Sequence, residues 1–219
     1  MVRAKLNSPM RTYMRFIRTD AGMPDAKITT NIGFRGRNLV FNIGNKYVYK
    51  FSIRHKNTGI EQRELQITDA FRKISPIYIP KMKIIKCRGE LVRRYEYIAG
   101  PRLPELTDAE FNAHYMELAR TIAEFIFTIA ISDPDNIKSY KSNPTATPGY
   151  MFGWWHGDIC DNFMINRKTW QPTAFIDWED AAFNNFAHIF DNQKTPRQRL
   201  FMGAVRTEYD RIWAEHTIK

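Results

Sequence analysis

The chain has 219 residues, of which 43% are apolar and 14% aromatic, and a formal net charge of +10. This composition supplies enough apolar surface for a folded core and excludes a wholly disordered chain. The most apolar stretch, Phe125 to Ile131, is far shorter than the roughly 20 residues of a membrane-spanning helix. Two cysteines, Cys87 and Cys160, provide neither a disulfide framework nor a set of zinc ligands, which favours a reducing compartment such as the cytoplasm.

Positive charge is concentrated in the first half of the chain. Residues 1–98 hold 21 Lys+Arg and 7 Asp+Glu, a net charge of +14, whereas residues 99–219 hold 12 and 16, a net charge of −4. The basic residues form no tight run, so nucleic-acid binding is the weakest of the hypotheses, and an anionic membrane surface stays open as a partner. Residues 1–20 lack the apolar core of a secretory signal. We interpret them as a solvated extension, with an Arg-rich organellar presequence as the alternative.

The first half of the chain has the pattern strand, strand, helix, strand, strand. Two runs of β-branched and aromatic residues, 39–43 and 46–53, are joined by Gly44-Asn45, a pair typical of hairpin turns. Apolar residues at helical spacing predict a helix from Ile60 to Phe71, with Asn57 or Thr58 as its cap. Two further strands are predicted over residues 83–87 and 91–98.

The second half is mainly helical. The spacing of Thr107 and Glu110 is that of a capping box, and it predicts the start of a long helix that reaches Ile129. Residues 132–149 contain three prolines and few apolar residues, which predicts a disordered loop or a substrate lid without elements of its own. A short hairpin over residues 163–176 and a final helix starting at Pro196 complete the chain.

The most informative segment surrounds that short hairpin. A His156-Gly-Asp158 loop precedes Asn162 and an apolar strand, and the next strand ends at Asp177. A hairpin brings the outer ends of its two strands together, so we expect Asp158, Asn162 and Asp177 to lie at one edge. Phosphoryl transfer needs such a set, because oxygen atoms bind Mg²⁺ and a carboxylate must face the attacking hydroxyl.

On these residues the sequence resembles the aminoglycoside phosphotransferase and choline kinase branch of the protein-kinase-like superfamily. That branch carries HGDxxxxN where protein kinases carry HRDxxxxN, and IDxE or IDxD where they carry DFG. The resemblance implies an α+β fold with two lobes. Residues 1–98 would form a nucleotide-binding lobe of an antiparallel sheet and one helix, and residues 99–219 a mainly helical catalytic and substrate lobe with a catalytic β-hairpin.

The resemblance implies roles for four residues of the catalytic lobe. Asp158 would accept or orient the proton of the acceptor hydroxyl. Asn162 and Asp177 would hold Mg²⁺, which bridges the nucleotide phosphates. Glu179 would support a second metal ion or its water. The sequence departs from the family in one respect, since Asn162 follows Asp158 by four residues instead of five. Because the apolar strand after Asn162 matches the family, we place the deletion inside the loop.

The resemblance also implies an ATP site in the first lobe. Gly33 and Gly36 would let the backbone approach the phosphates. Lys50, held by Glu64, would bind the α- and β-phosphates. The backbones of Glu96 and Ile98 would hydrogen-bond adenine.

The sequence therefore predicts a kinase that uses ATP and Mg²⁺ to phosphorylate a hydroxyl group of a small molecule. The acceptor is choline or another amino alcohol, an amino sugar or a sugar, and the acidic second half favours a cationic acceptor. The alternative from another class is a catalytically inactive kinase-like module that binds a nucleotide or a partner protein. The shortened loop between Asp158 and Asn162 supports that alternative.

Overall fold

The computed structural model describes residues 8–32, 37–53 and 59–217. The chain forms two compact units, a first unit of residues 1–65 and 81–97 and a second unit of residues 66–80 and 98–219. An antiparallel sheet dominates the first unit and helices the second, which confirms the α+β class. The functional division after residue 98 stays a prediction.

The first unit contains a five-stranded antiparallel sheet in the order β1-β2-β3-β5-β4. Gly44 and Asn45 both have positive φ, at 55° and 51°, and form the predicted turn between β2 and β3. Such a turn matches the twist of the two strands. The sequence pattern had not predicted β1. The strands are β1 Ile28–Ile32, β2 Asn38–Ile43, β3 Tyr47–Ser52, β4 Met82–Cys87 and β5 Glu90–Glu96.

Helix α1 (Ser8–Ala21) packs on one face of this sheet. Ile17 is fully buried, and the Tyr13 ring lies 4.4 Å from the Phe51 ring, centroid to centroid. The prediction of a solvated extension is therefore wrong for residues 8–20. The prediction gave weight to the three arginines of this segment, but the apolar residues between them recur at helical spacing and bury one face of the helix.

Helix α2 (Ile60–Phe71) matches the prediction, and the residues proposed as its cap, Asn57 and Thr58, lie outside the described residues. Residues 60–65 of this helix belong to the first unit, and residues 66–71 belong to the second.

The second unit is built around the helices α3 (Asp108–Ile131) and α5 (Pro196–Thr217). The predicted capping box is present at the start of α3. The Glu110 N–H donates to Thr107 Oγ1 at 3.2 Å, and the Thr107 N–H donates to Glu110 Oε2 at 2.8 Å. Two hairpin-like pairs and a short helix complete the unit: β6 Phe152–Trp155 with β9 Ala182–Asn185, β7 Phe163–Asn166 with β8 Gln171–Phe175, and α4 His188–Asp191.

The segment 132–149 has structure that its composition did not predict. It contains a 3₁₀ helix, Asp135–Tyr140, in which Ile137 is fully buried. The Lys141 Nζ lies 2.6 Å from Asp133 Oδ1 and donates to the Ala146 carbonyl oxygen at 2.9 Å. One buried apolar side chain and the buried Lys141 ammonium, paired with the partly exposed Asp133, help to order the segment. The expectation of a stretch without elements is therefore wrong. Within the described ranges, none of the helices combines the length and apolarity needed to cross a membrane.

Candidate active site

The β7–β8 hairpin brings three predicted site residues to one end of the second unit. Asn162 precedes β7, and its carbonyl oxygen accepts a hydrogen bond from the Ile176 N–H at 2.9 Å, next to Asp177. The Asn162 N–H donates to the Ile159 carbonyl oxygen at 3.3 Å, which closes a tight turn after Asp158. The shorter spacing between Asp158 and Asn162 is therefore accommodated in this turn, before the strand begins.

His156 fixes the loop that carries Asp158. Its Nδ1 accepts the Asp158 N–H at 3.4 Å, and its Nε2 lies 2.8 Å from the Ile176 carbonyl oxygen. Nδ1 acts as the acceptor, so the proton resides on Nε2 and is donated to Ile176. The ring is buried and lies 4.7 Å from the Trp178 ring, centroid to centroid. His156 is thus a structural hydrogen-bonding residue, and it ties the loop to the end of β8.

Gly157 lets this loop approach the segment after Asp177. Its φ is 100°, and a Cβ atom at this position would lie 2.6 Å from the Asp180 carbonyl oxygen. Only glycine combines this backbone conformation with such a short approach. The middle residue of the His-Gly-Asp motif therefore holds two acidic segments against each other.

The site carries an excess of negative charge. The pKa of the Asp158 carboxyl is raised, first because the surrounding protein removes water from it, and next because Asp161, Asp177 and Asp180 repel its negative charge. Lys194 opposes this shift. The Asp158 side chain nevertheless remains exposed, so a ligand can reach it. A bound cation would relieve the repulsion among these four carboxylates.

The oxygen atoms at this end suit Mg²⁺ shared with a phosphorylated ligand. The Asn162 Nδ2 donates to the Asp158 carbonyl oxygen at 3.0 Å, which leaves the amide oxygen available as a metal ligand. Asp177 and Glu179 are half-buried. The described residues include no cluster of three or more His, Cys, Asp or Glu able to hold a metal by themselves. Mg²⁺ usually needs only one or two protein carboxylates plus substrate phosphates, so the donor set fits this ion.

The predicted lysine and glutamate lie in the first unit. Lys50 is 6% exposed and pairs across the sheet with Arg93 of β5, so both side chains leave the same face of the sheet. Glu64 of α2 is fully buried there. The Arg93 Nη1 donates to Glu64 Oε2 at 2.6 Å, and the Tyr95 hydroxyl donates to Glu64 Oε1 at 2.9 Å. Glu64 is thereby held on both of its oxygen atoms.

Arg93 connects this pair to a larger buried network. Its Nη2 donates to Asn38 Oδ1 at 2.8 Å and to Ser52 Oγ at 3.1 Å, and the Ser52 hydroxyl donates to Glu61 Oε1 at 2.8 Å. The face thus buries two cations, Lys50 and Arg93, with two carboxylates, which balances the charge. Sequence reasoning missed Arg93, since it stands beside Arg94 and only the strand pairing reveals which of the two is buried.

The remaining residues predicted to bind the nucleotide are two glycines and the two residues at the end of β5 and just after it. Gly33 and Gly36 lie outside the described residues. Glu96 ends β5 and pairs with Tyr47, and Ile98 is the first residue of the second unit after β5. Their roles stay predictions. Cys160 is buried in the loop between Asp158 and Asn162. Burial raises the pKa of its thiol, as expected for a residue that serves in packing.

Comparison with known proteins identifies the fold. No protein-family model and no curated protein matches the chain. Among solved structures, the GDP complex of wild-type aminoglycoside 2'-phosphotransferase-IIIa is 18% identical, with a TM-score of 0.65, covering 90% of this chain and 82% of that one. The ternary complex of streptomycin, ATP and APH(2")-IIa is 13% identical, with a TM-score of 0.61, covering 96% and 85%. The apoenzyme of macrolide 2'-phosphotransferase MphH from Brachybacterium faecium is 12% identical, with a TM-score of 0.58, covering 89% and 83%.

The chain therefore has the protein-kinase-like fold of aminoglycoside and macrolide phosphotransferases. The fold implied by the sequence motifs is confirmed. A shared fold does not by itself specify the reaction, so the function must be argued from the site.

Proposed function

We propose that this protein is a Mg²⁺-dependent phosphotransferase that moves the γ-phosphoryl group of ATP to a hydroxyl group of a small molecule. The observation that carries the proposal is the meeting of Asp158, Asn162 and Asp177 at one end of the β7–β8 hairpin, in a strongly negative environment. Solved neighbours with this fold include complexes with GDP, ATP and ADP, which supports the use of a nucleotide.

Each residue has a distinct part in the proposed reaction. Asp158 accepts the proton of the acceptor hydroxyl, and its raised pKa brings its basicity closer to neutral pH, where proton transfer is most efficient. Asn162 and Asp177 would hold Mg²⁺, with Glu179 supporting them, and the bound ion would supply positive charge opposite the nucleotide phosphates. Lys50 binds the α- and β-phosphates. His156 and Gly157 hold the loop so that Asp158 keeps its position during turnover.

The remaining nucleotide contacts belong to the proposal as well. Gly33 and Gly36 let the backbone approach the phosphates, and the backbones of Glu96 and Ile98 hydrogen-bond the base. Because several solved neighbours hold GDP, GTP should be tested beside ATP as the donor.

We favour a cationic acceptor, such as an amino sugar or an amino alcohol. Asp161 and Asp180 add negative charge to the site beyond the residues proposed for proton and metal chemistry. Solved neighbours include complexes with kanamycin, streptomycin and gentamicin. A neutral sugar or a macrolide is the alternative acceptor.

The cytoplasm is the proposed compartment, because both cysteines are free and buried.

The test measures nucleoside diphosphate release from ATP and GTP with a panel of amino sugars, amino alcohols, sugars and macrolides. We expect acceptor-dependent release, which falls by about 10³-fold in Asp158→Asn and in Asp177→Asn, because each removes a group that acts on the transition state. Asp161→Asn is the matched control. It removes the same charge from the same cluster and should stay within about tenfold of the wild-type rate. Nucleotide binding without turnover on any acceptor would support the inactive kinase-like module instead.

A further inference from the structure

Helix α1 presents a groove lined by arginines on the side opposite its apolar face. Arg11, Arg15 and Arg18 line it together with Thr19, Gly22 and Pro24, and the groove has a volume of about 600 Å³. This volume lies within the range of small-molecule binding sites. The groove belongs to the first unit, and among the described residues proposed for catalysis or nucleotide binding, none lines it.

The helical repeat places the three guanidinium groups in one row. Arg15 follows Arg11 by four residues and Arg18 follows Arg15 by three, so all three leave the same face of α1. Along the axis they are spaced by about 6 Å and about 4.5 Å. The other face is fixed against the sheet by Tyr13 and Ile17, so the helix cannot rotate to hide the arginines.

Arg15 and Arg18 are not neutralised by an ion pair in the part of the chain that the structure describes. Within residues 8–32, 37–53 and 59–217, neither Arg15 nor Arg18 has a carboxylate oxygen within 4.0 Å. The parts of the chain outside those ranges contain no Asp or Glu. Asp20, the only acid in α1, is engaged elsewhere, since it accepts from the Tyr49 hydroxyl and from Arg94, each at 2.7 Å.

One nitrogen of the groove has lost its water without gaining a protein partner. The Arg18 Nε is buried, and no described residue accepts its hydrogen bond. A buried, unsatisfied donor on a charged group is costly, and a shift of the Arg18 side chain onto an anion in the groove would satisfy it. The adjacent guanidinium groups of Arg15 and Arg18 also repel each other, and a bound anion would relieve that repulsion.

We propose that this groove is a binding site for a multiply phosphorylated anion. Guanidinium groups bind phosphate oxygens through pairs of parallel hydrogen bonds, and a row of three suits a ligand with several phosphates. The phosphates can belong to a free small molecule or to the headgroups of an anionic membrane. The residues that line the groove differ from the described residues of the proposed catalytic site, and the binding proposed here does not depend on phosphotransferase activity.

The first experiment measures the binding of inorganic tripolyphosphate to the whole chain by calorimetry. The double variant Arg15→Gln/Arg18→Gln should bind about 100-fold more weakly, at about tenfold for each lost charge-assisted interaction. The matched control is Arg199→Gln. Among the described residues, the Arg199 guanidinium donates only to the backbone oxygens of Gln193 and Lys194, so this variant should bind as the wild type does. Equal binding by the wild type and the double variant, or an equal loss in the control, would overturn the proposal.

A second pair of variants separates this site from the catalytic site and from diffuse charge. Lys50→Met removes the phosphate partner proposed for catalysis and should leave tripolyphosphate binding in the groove unchanged. Arg15→Lys/Arg18→Lys keeps the charge and loses the paired geometry, so binding should fall measurably while the circular dichroism spectrum stays the same. Full binding by the lysine variant would reduce the groove to an unspecific basic surface.

The source of the phosphates is identified with vesicles. Sedimentation with phosphatidylcholine vesicles containing about one third phosphatidylserine, compared with pure phosphatidylcholine, tests the membrane arm. If the wild type binds the anionic vesicles and the double variant does not, the groove binds lipid headgroups. Tight tripolyphosphate binding without vesicle binding assigns it to a free ligand. The chain could instead bind single-stranded RNA more tightly than it binds tripolyphosphate or vesicles. If the double variant also loses that RNA binding, the proposal is refuted in favour of a nucleic-acid surface.

Discussion

Replacing Arg93 by methionine should strongly destabilise the first unit. Arg93 and Glu64 are both fully buried, and the shortest distance between their charged atoms is 2.6 Å. Arg93→Met removes the arginine that donates to Glu64 and leaves the buried network with Lys50 against two carboxylates, Glu61 and Glu64. Breaking a buried pair in this way costs about 3–5 kcal/mol. The Tyr95 hydroxyl still donates to Glu64, so we expect the lower half of that range.

The neighbouring Arg94 is a matched control on the opposite face of the same strand. Its side chain is 17% exposed and its partner Asp20 is 22% exposed, with 2.7 Å between their charged atoms. Water can solvate Asp20 when the arginine is lost, so Arg94→Met should cost only about 1 kcal/mol. The comparison separates the effect of burial from the effect of removing an arginine.

The assay is urea unfolding followed by far-UV circular dichroism, with hydrogen exchange of β2, β3 and β5. All five tryptophans lie between residues 154 and 213, so tryptophan fluorescence reports on the second unit alone and should change less. The double variant Arg93→Met/Glu64→Leu also removes the Glu64 carboxylate and should be more stable than Arg93→Met. Equal losses for Arg93→Met and Arg94→Met, or a double variant less stable than Arg93→Met, would refute the reasoning.

Three further changes test the site and its support. With EDTA present, Asp158→Asn should raise the melting temperature at pH 7. The folded protein holds the Asp158 proton to higher pH than the unfolded chain, so ionisation opposes folding, and the gain should vanish near pH 4. A less stable variant at pH 7 would contradict the repulsion. Gly157→Ala should cost at least about 2 kcal/mol in urea unfolding, because the new Cβ meets the Asp180 backbone, whereas Gly203→Ala, with open space inside α5, should gain about 0.5–1 kcal/mol. Equal effects of the two alanines would argue against the tight approach. Thr107→Ala should cost about 1 kcal/mol of unfolding free energy through the lost cap of α3, and no change in the melting temperature would show that the capping box is unimportant.

Local sequence patterns predicted the elements whose signals lie within a few residues. The Gly44-Asn45 turn, the capping box at Thr107 and the hairpin between Asn162 and Asp177 all depend on adjacent side chains and backbone conformations, so they can be read without tertiary information. The turn after Asp158 is likewise closed by a local hydrogen bond, so its place before the strand could be predicted from the motif.

Features that depend on distant partners could not be predicted in the same way. Arg93 and Arg94 are indistinguishable in the sequence, and the pairing of β3 with β5 and the position of α2 decide which one is buried. The prediction for α1 was wrong because it gave weight to the three arginines and not to the helical spacing of apolar residues such as Tyr13 and Ile17. The segment 132–149 is ordered by the contacts of Lys141, which leave no local pattern.

The backbone conformation at Asp177 favours a substitution that would raise stability and, under the proposed function, abolish activity. Its φ of 65° is a left-handed conformation, which asparagine and glycine adopt at less cost than most residues. Asp177→Asn would suit that conformation and also remove one of the carboxylates that repel Asp158. Under the proposed function, laboratory evolution that selects for heat resistance alone would therefore favour loss of the aspartate and of turnover, and each round would need a selection for activity to retain Asp177.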